Sequence, residues 1–170
     1  MILKDTLRRV NGLVERVTGR LAFLPPLATR IVIGLAFFHT GTGKLRHFDN
    51  VVGFFSSLGI PLPSLNAGLV ATMETVGGVM LIVGLCTRFF ASGLSLTMVV
   101  ALLTADGADL LAAWGGASEI TPTDVTSFTF LLFLLWLVFY GAGSVSADAA
   151  LRRYLGAEPL PTRPLDASSP

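Results

Sequence analysis

Three ionisable side chains lie within strongly apolar parts of the sequence, where a charge is costly. Lys44 and His39 belong to "AFFHTGTGKLRHF", and Glu74 belongs to "TMETVGGVML". An unpaired charge inside the hydrocarbon region of a membrane costs at least about 2.5 kcal/mol, so such groups either pair with one another or serve a function. A lysine, a glutamate and a histidine together can transfer protons and can bind a ligand by hydrogen bonds.

The spacing of these groups from two arginines predicts that the lysine meets the glutamate. Lys44 follows Arg30 by fourteen residues, and Glu74 precedes Arg88 by fourteen residues. If both arginines mark one membrane face on antiparallel helices, Lys44 and Glu74 both lie about 21 Å from that face. Glutamate is too short to reach water from this depth. We therefore expect an ion pair between the two side chains.

This pair has two interpretations, and the sequence leaves both open. A structural ion pair would fix the register of the two helices. A functional pair would form the polar floor of a ligand site, with protonation of Glu74 or His39 coupled to binding or redox chemistry. His39 lies about 7.5 Å deeper than Lys44 and about 140° away around the helix, so it could contact Glu74, a ligand or a threonine, or only pack.

The elements that carry these groups have the composition of a membrane protein. The chain of 170 residues is 52% hydrophobic and 14% charged, which lies outside the usual range of soluble proteins. Four apolar segments, residues 27–43, 65–87, 89–105 and 125–143, have about the 17 to 25 residues that a helix needs to cross roughly 30 Å of hydrocarbon. The predicted fold class is all-α, an integral membrane four-helix bundle with an N-terminal amphipathic interfacial helix.

The cations concentrate on one side of the four segments. Only Lys44 and Arg46, of the twelve Lys and Arg residues, lie on the other side. The positive-inside rule then predicts that the chain crosses the membrane several times with both termini in the cytoplasm.

The same pattern divides the chain into three parts. Apolar residues spaced by three and four predict an amphipathic helix over residues 1–24 on the cytoplasmic membrane surface, with a partner helix as the alternative contact. Residues 25–145 form the predicted four-helix transmembrane domain. Residues 146–170 form a cytoplasmic tail whose Pro-, Ala- and Ser-rich end predicts partial disorder.

The segment "FDNVVGFFSSLGIPLPS" follows the first span and is too short to cross the membrane. We expect a helix in the outer interface, capped at Asp49 or Asn50 and ended by Gly59 and Pro61. This helix either covers a cavity that opens toward the outer leaflet or only connects two spans.

Small residues predict that the first and second spans pack closely, because they let two helices approach in lipid. The first span carries Gly34, Gly41 and Gly43, and the Glu74 side of the second span carries or borders Ala67, Ala71, Gly77, Gly78 and Gly84. The lone Cys86 excludes an internal disulfide, and we expect it to be a buried small hydrophobe.

Several motifs, taken in order, resemble the DoxX family of small bacterial membrane proteins. The resemblance runs from about residue 30 to residue 140 and is carried by "RIVIGLAFFHTGTGKL", "FFSSLGIPLP" and "METVGGVMLIVGLCTRFFASGLSLTMVVA". Its most specific set is Gly43 and Lys44, followed by Glu74, Gly77, Gly78, Leu81, Gly84, Leu85, Thr87 and Arg88. The resemblance implies a four-helix membrane bundle, often encoded beside oxidoreductases, with a thiosulfate:quinone oxidoreductase subunit among its relatives.

The resemblance implies a subunit of a redox system that couples a partner oxidoreductase to the quinone pool through a polar intramembrane site. The candidate catalytic residues are Glu74, His39 and Lys44, and the candidate cofactor-binding residues are Gly43, Gly77, Gly78 and Arg88. The sequence has no haem motif, cysteine pair or metal-ligand spacing, so a redox role needs either quinone as the carrier or a redox centre in a partner. Quinone is the expected cofactor. The expected partners are the lipid bilayer, a partner oxidoreductase and a second copy in a homo-oligomer, with no nucleic acid. The alternative functions are a non-catalytic anchor or scaffold subunit and a small-molecule or lipid transporter.

Overall fold

A computed structural model of the protein describes residues 21–116 and 119–156, together with Gly12, Thr18 and Gly19. These residues are all-helical and contain no strand. Their seven α-helices are α1 (Leu24–Arg46), α2 (Phe48–Ser57), α3 (Pro63–Val83), α4 (Thr87–Thr104), α5 (Gly107–Trp114), α6 (Thr126–Tyr140) and α7 (Ala147–Tyr154). A 3-10 turn, Pro122–Asp124, precedes α6. Most of the amphipathic helix predicted for residues 1–24 and most of the tail, residues 157–170, lie outside the described residues.

The four longest helices share one apolar core. Helix α1 packs mainly against α3, α4 packs mainly against α6, and contacts between α3 and α4 join the two pairs. The core residues are Ile33, Phe37, Leu81, Ala91, Leu94, Met98, Leu134 and Leu137. The outward faces are apolar as well, and Val32, Leu69, Leu96 and Phe139 are all more than half exposed. Helices that are apolar on all sides are typical of membrane spans.

Two of these helices, α3 with 21 residues and α4 with 18, are long and apolar enough to cross a membrane. Helix α6 is apolar but has 15 residues. Helix α1 has 23 residues and carries Arg30, Lys44 and Arg46. Each apolar segment predicted from the sequence therefore coincides with a helix, although the helix bounds differ by a few residues.

The turn between α3 and α4 corrects one boundary and the predicted environment of Cys86. Gly84 ends α3 in the left-handed conformation (φ 75°), and Cys86 precedes α4 with φ 49°. The predicted second span therefore stops at Val83 rather than at residue 87. Cys86 is exposed, so the prediction that it is buried was wrong. The chain reverses within residues 84–86, and this leaves the thiol no helix face on which to pack.

The glycines of α1 and α3 form a close contact that we call the α1–α3 seam, consisting of Gly34, Gly41 and Gly78 with their neighbours. A Cβ atom at Gly34 would lie 2.8 Å from the carbonyl oxygen of Gly78, and one at Gly78 would lie 2.7 Å from that of Gly34. At Gly41 it would lie 2.5 Å from the backbone nitrogen of Thr75. Larger side chains would hold the helices apart, so the predicted packing of small residues is confirmed.

Helix α2 forms where the sequence predicts a short helix between the first two spans, and its location in the membrane interface stays a prediction. It begins at Phe48 with His47 as N-cap, two or three residues earlier than the predicted cap at Asp49 or Asn50, and no side chain caps it. It packs on α3, and none of its residues is fully buried. Gly59, at φ 71°, turns the chain after it.

Candidate functional site

Lys44 and Glu74 form a salt bridge across the α1–α3 seam. The side chain of Glu74 is 1% exposed and that of Lys44 is 31% exposed. The predicted contact between this base and this acid is confirmed, and the carboxylate is buried. The equal spacing brings them together because the start of α1 lies beside the end of α3, where Arg30 Nε donates to the carbonyl oxygen of Leu81 at 3.1 Å.

The second carboxylate oxygen of Glu74 faces Thr40. Thr40 Oγ1 lies 3.1 Å from Glu74 Oε2 and also 3.1 Å from the carbonyl oxygen of Phe37. A hydroxyl has one proton, so Thr40 donates to one of these acceptors at a time. Sequence analysis missed Thr40, although it precedes Lys44 by four residues and therefore shares its helix face.

The hydrogen bonds of the pair leave donors available on the lysine. Both oxygens of Glu74 have a partner, Lys44 on one side and Thr40 on the other. An ammonium group has three N–H donors, and Glu74 is the acceptor that the described residues provide for Lys44. Two donors of Lys44 can therefore serve a ligand, beside a carboxylate that balances the positive charge.

A cavity of about 1100 Å³ lies between α2, α3 and α4, with Lys44 and Glu74 in its wall. Most of its lining is apolar, including Val51, Phe54 and Phe55 from α2, Leu69 and Met73 from α3, and Phe90 and Leu96 from α4. The other polar side chains in the wall are Asn50, Asn66, Thr72, Thr97, Thr104 and Asp106. Mostly apolar walls with a few polar groups are typical of small-molecule sites. Helix α2 is thus a wall of a cavity and more than a connector.

His39 and Arg88 lie apart from the ion pair. His39 is exposed on α1, outside the walls of the cavity. Arg88 is exposed near the start of α4, where its Nη2 donates to the carbonyl oxygen of Phe139 at 3.1 Å. The structure therefore does not bring His39 to Glu74, and Arg88 belongs to the opposite end of the helices. A catalytic role for His39 and a cofactor-binding role for Arg88 stay predictions.

The three candidate glycines also lie outside the cavity walls. Gly78 belongs to the α1–α3 seam, and a Cβ at Gly77 would lie 3.1 Å from the side chain of Leu94. Gly43 has nothing within 4 Å of its Cβ position. Helix packing therefore explains why Gly77 and Gly78 are small. Cofactor binding by the three glycines stays a prediction.

Arg30 has a structural position that the sequence did not predict. It is 1% exposed, and besides its bond to Leu81 its Nη1 donates to the carbonyl oxygen of Ala142. The guanidinium group therefore joins the start of α1 to the end of α3 and to the segment that follows α6.

The described residues form an all-helical protein with two helices long and apolar enough to cross a membrane, and a buried ion pair adjoins a cavity between its helices. The chain belongs to the DoxX family, whose family model, DoxX, matches residues 26–107. The matched range begins in α1 and ends at the first residue of α5, so it contains Lys44, Glu74 and the whole lining of the cavity.

Three relatives have names that describe membrane or redox proteins. "Uncharacterized membrane protein Rv3486" of Mycobacterium tuberculosis is 31% identical over 139 residues, which cover 76% of this chain and 83% of that protein. "Putative oxidoreductase CatD" of Bacillus subtilis is 36% identical over 78 residues, 46% of this chain and 57% of that protein. "Inner membrane protein YphA" of Escherichia coli is 36% identical over 62 residues, 36% of this chain and 44% of that protein. The matches thus span about half the length of the last two relatives. No solved structure matches the chain significantly.

Proposed function

We propose that this protein is an inner-membrane subunit that binds a quinone in the cavity between α2, α3 and α4 and couples a partner oxidoreductase to the quinone pool. One observation carries the proposal: the Lys44–Glu74 pair lies in the wall of an otherwise largely apolar cavity of about 1100 Å³. The name "Putative oxidoreductase CatD", given to a relative that shares part of this chain, supports the redox context.

The residues of the cavity fit a neutral ligand that combines a carbonyl group with an apolar tail. Lys44 has N–H donors left for an acceptor oxygen, and Glu74 balances its charge, so the pair as a whole does not favour an anion. The aromatic and aliphatic walls from α2, α3 and α4 suit a ring and an isoprenoid chain.

The chain's own groups would bind the ligand and move protons. A bound quinone takes up two electrons and two protons when it is reduced. Lys44 Nζ would donate a hydrogen bond to a carbonyl oxygen and pass a proton to it on reduction. Glu74, after taking up a proton from water, would return it to Lys44 through Oε1, which is hydrogen-bonded to the same Nζ, so that two such cycles would deliver the two protons. Thr40 holds the second oxygen of Glu74 and so orients the carboxylate. The partner oxidoreductase provides the electrons.

The proposed topology has four crossings, α1, α3, α4 and α6, with both termini in the cytoplasm. Contacts of Arg30 join the start of α1 to the end of α3 and the segment after α6, as expected for helices that alternate in direction. The same end carries Arg88, whereas the connection at the other end begins with Asp106. This distribution follows the positive-inside rule, and the name of YphA supports the inner membrane.

Quinone binding is testable with the full chain in lipid nanodiscs and a short-chain quinone as the probe. We expect Lys44→Met to weaken binding about tenfold to a hundredfold, because a hydrogen bond to a charged group contributes about 1.5–3 kcal/mol. Arg46→Met is the matched control, since Arg46 is an exposed cation of the same helix outside the cavity walls. Equal affinities of the two variants would refute the proposed site.

Two further variants separate binding from proton transfer and from misfolding. Lys44→Met together with Glu74→Gln leaves no unpaired charge, so it tests binding even if Lys44→Met alone does not fold. Glu74→Gln, assayed with the partner oxidoreductase in membranes, should bind quinone and reduce it more slowly. An unchanged reduction rate would remove the proton-transfer role of Glu74.

The position of the ion pair in the seam also favours a second candidate function, a non-catalytic anchor subunit. In that case Lys44 and Glu74 only fix α1 against α3. The variant that replaces both residues would then leave assembly with the partner and the activity of the complex unchanged, and the wild-type protein would bind no quinone.

A further inference from the structure

Helix α7 is fixed to the turn between α3 and α4 by its polar residues. Ser146 Oγ caps it by accepting from the backbone nitrogen of Ala149 at 3.1 Å. The carboxylate of Asp148 accepts from the backbone N–H groups of Cys86 at 2.8 Å and Thr87 at 3.0 Å. The backbone N–H of Asp148 in turn donates to the carbonyl oxygen of Gly84 at 2.9 Å. These bonds hold the first turn of α7 at the end of two candidate membrane spans.

The apolar side of α7 is largely uncovered by the other described residues. At 100° per residue, Ala147, Ala150, Leu151 and Tyr154 share one side of the helix. Leu151 is 48% exposed and Tyr154 is 86% exposed. A surface helix of a soluble protein places its apolar side against the core, whereas α7 binds the rest of the protein through Asp148, on a polar face.

Among the described residues, the exposed charges near this apolar side are positive. Arg152 and Arg153 lie on the other faces of α7, in its last turn. Arg88 is exposed two residues beyond Cys86, in the first turn of α4. The acidic group of α7, Asp148, is engaged by two backbone N–H groups. An exposed apolar stripe that ends in a tyrosine and is flanked by arginines is typical of helices at an anionic membrane surface.

We propose that α7 is a membrane-surface helix that binds anionic phospholipid. Leu151 and Tyr154 enter the boundary between headgroups and acyl chains, and Arg152 and Arg153 contact lipid phosphate. The hydrogen bonds of Asp148 keep the helix at the depth where the spans α3 and α4 meet this boundary. This surface is separate from the cavity, and its role does not depend on quinone binding.

A fluorescent probe on α7 tests the proposal in the full chain. Tyr154→Cys in a Cys86→Ser background provides one thiol for bimane, in vesicles that contain brominated phosphatidylglycerol or brominated phosphatidylcholine. We expect both brominated lipids to quench the probe, and the anionic lipid to quench it more strongly. Arg152→Gln with Arg153→Gln should lower the preference for the anionic lipid by up to about thirtyfold, about fivefold for each cation. Arg46→Gln is the control: it changes an exposed arginine at the last residue of α1, far from α7, and should leave the preference for the anionic lipid unchanged.

Each other outcome overturns the proposal. Water-like emission without quenching would show that α7 stays off the membrane. Water-excluded emission without quenching would show that protein, such as a second copy of the chain, covers the apolar side. Equal quenching by the two lipids would show that the arginines do not select an anionic headgroup. If the arginine variants fail to fold, the labelled protein with Arg152 and Arg153 in place still tests the proposal, through the difference in quenching between the two brominated lipids.

Discussion

Replacing Gly41 by alanine tests whether the α1–α3 seam positions the ion pair. The new Cβ would lie 2.5 Å from the backbone nitrogen of Thr75, 2.6 Å from Thr75 Oγ1 and 2.9 Å from the carbonyl carbon of Glu74. Two of these three atoms belong to the backbone and cannot rotate away. Helices α1 and α3 must therefore move apart next to the Lys44–Glu74 contact.

The expected magnitude follows from two opposing effects. Overpacking of a well-packed contact costs about 1–3 kcal/mol. Alanine recovers up to about 1 kcal/mol relative to glycine in a helix interior. Gly43→Ala is the matched control, because it gains the same helix propensity two residues further along α1 and nothing lies within 4 Å of its Cβ position. The difference between the two variants isolates the packing cost, so Gly41→Ala should be about 1–3 kcal/mol less stable than Gly43→Ala.

The assay is reversible unfolding of the full chain in mixed micelles, followed by far-ultraviolet circular dichroism as the denaturing detergent increases. The free energy of unfolding of the wild-type protein should lie between those of the two variants or close to that of Gly43→Ala. Equal free energies of unfolding for the two variants would refute the proposed close contact, because the seam would then tolerate a methyl group at Gly41.

Three further predictions concern individual polar groups. Lys44→Met should cost about 3–5 kcal/mol of unfolding free energy by leaving Glu74 buried and unpaired, whereas adding Glu74→Gln should recover most of that loss in the same assay. Arg30→Met should destabilise the protein by about 1–3 kcal/mol for each of the two carbonyl oxygens left without a donor, and Arg30→Lys should recover only part of this cost. The backbone N–H and hydroxyl of Thr121 lower the pKa of Asp124, so the stabilising effect of this contact is present above the ordinary carboxyl pKa and is lost as the pH falls through the lowered value. Thr121→Ala should raise the pKa of Asp124 in a nuclear magnetic resonance titration, and an unchanged titration would contradict this assignment.

The sequence was sufficient for those features that depend on position along a helix. The rise of an α-helix per residue is constant, so the equal spacings of Lys44 from Arg30 and of Glu74 from Arg88 predicted an ion pair at one height. The small residues predicted which two helices approach each other. Local composition also located the four apolar helices and the short helix α2 between the first two.

Contacts between residues far apart in the chain needed the tertiary structure. Asp148 caps the turn at Cys86 and Thr87, and Arg30 binds the carbonyl oxygen of Ala142, yet no local pattern connects these residues. The exposure of Cys86 was mispredicted for the same reason, because the shape of the turn decides it and not the hydrophobicity of its neighbours.

The cavity likewise follows only from the tertiary structure. Helical periodicity gives the face and the height of each side chain, and it therefore determines that Lys44 can meet Glu74. The distance and rotation between α3 and α4, and the position of α2 beside them, result from the packing of all the helices together. For this reason the sequence alone predicted the polar pair, while the tertiary structure decided that an apolar cavity adjoins it.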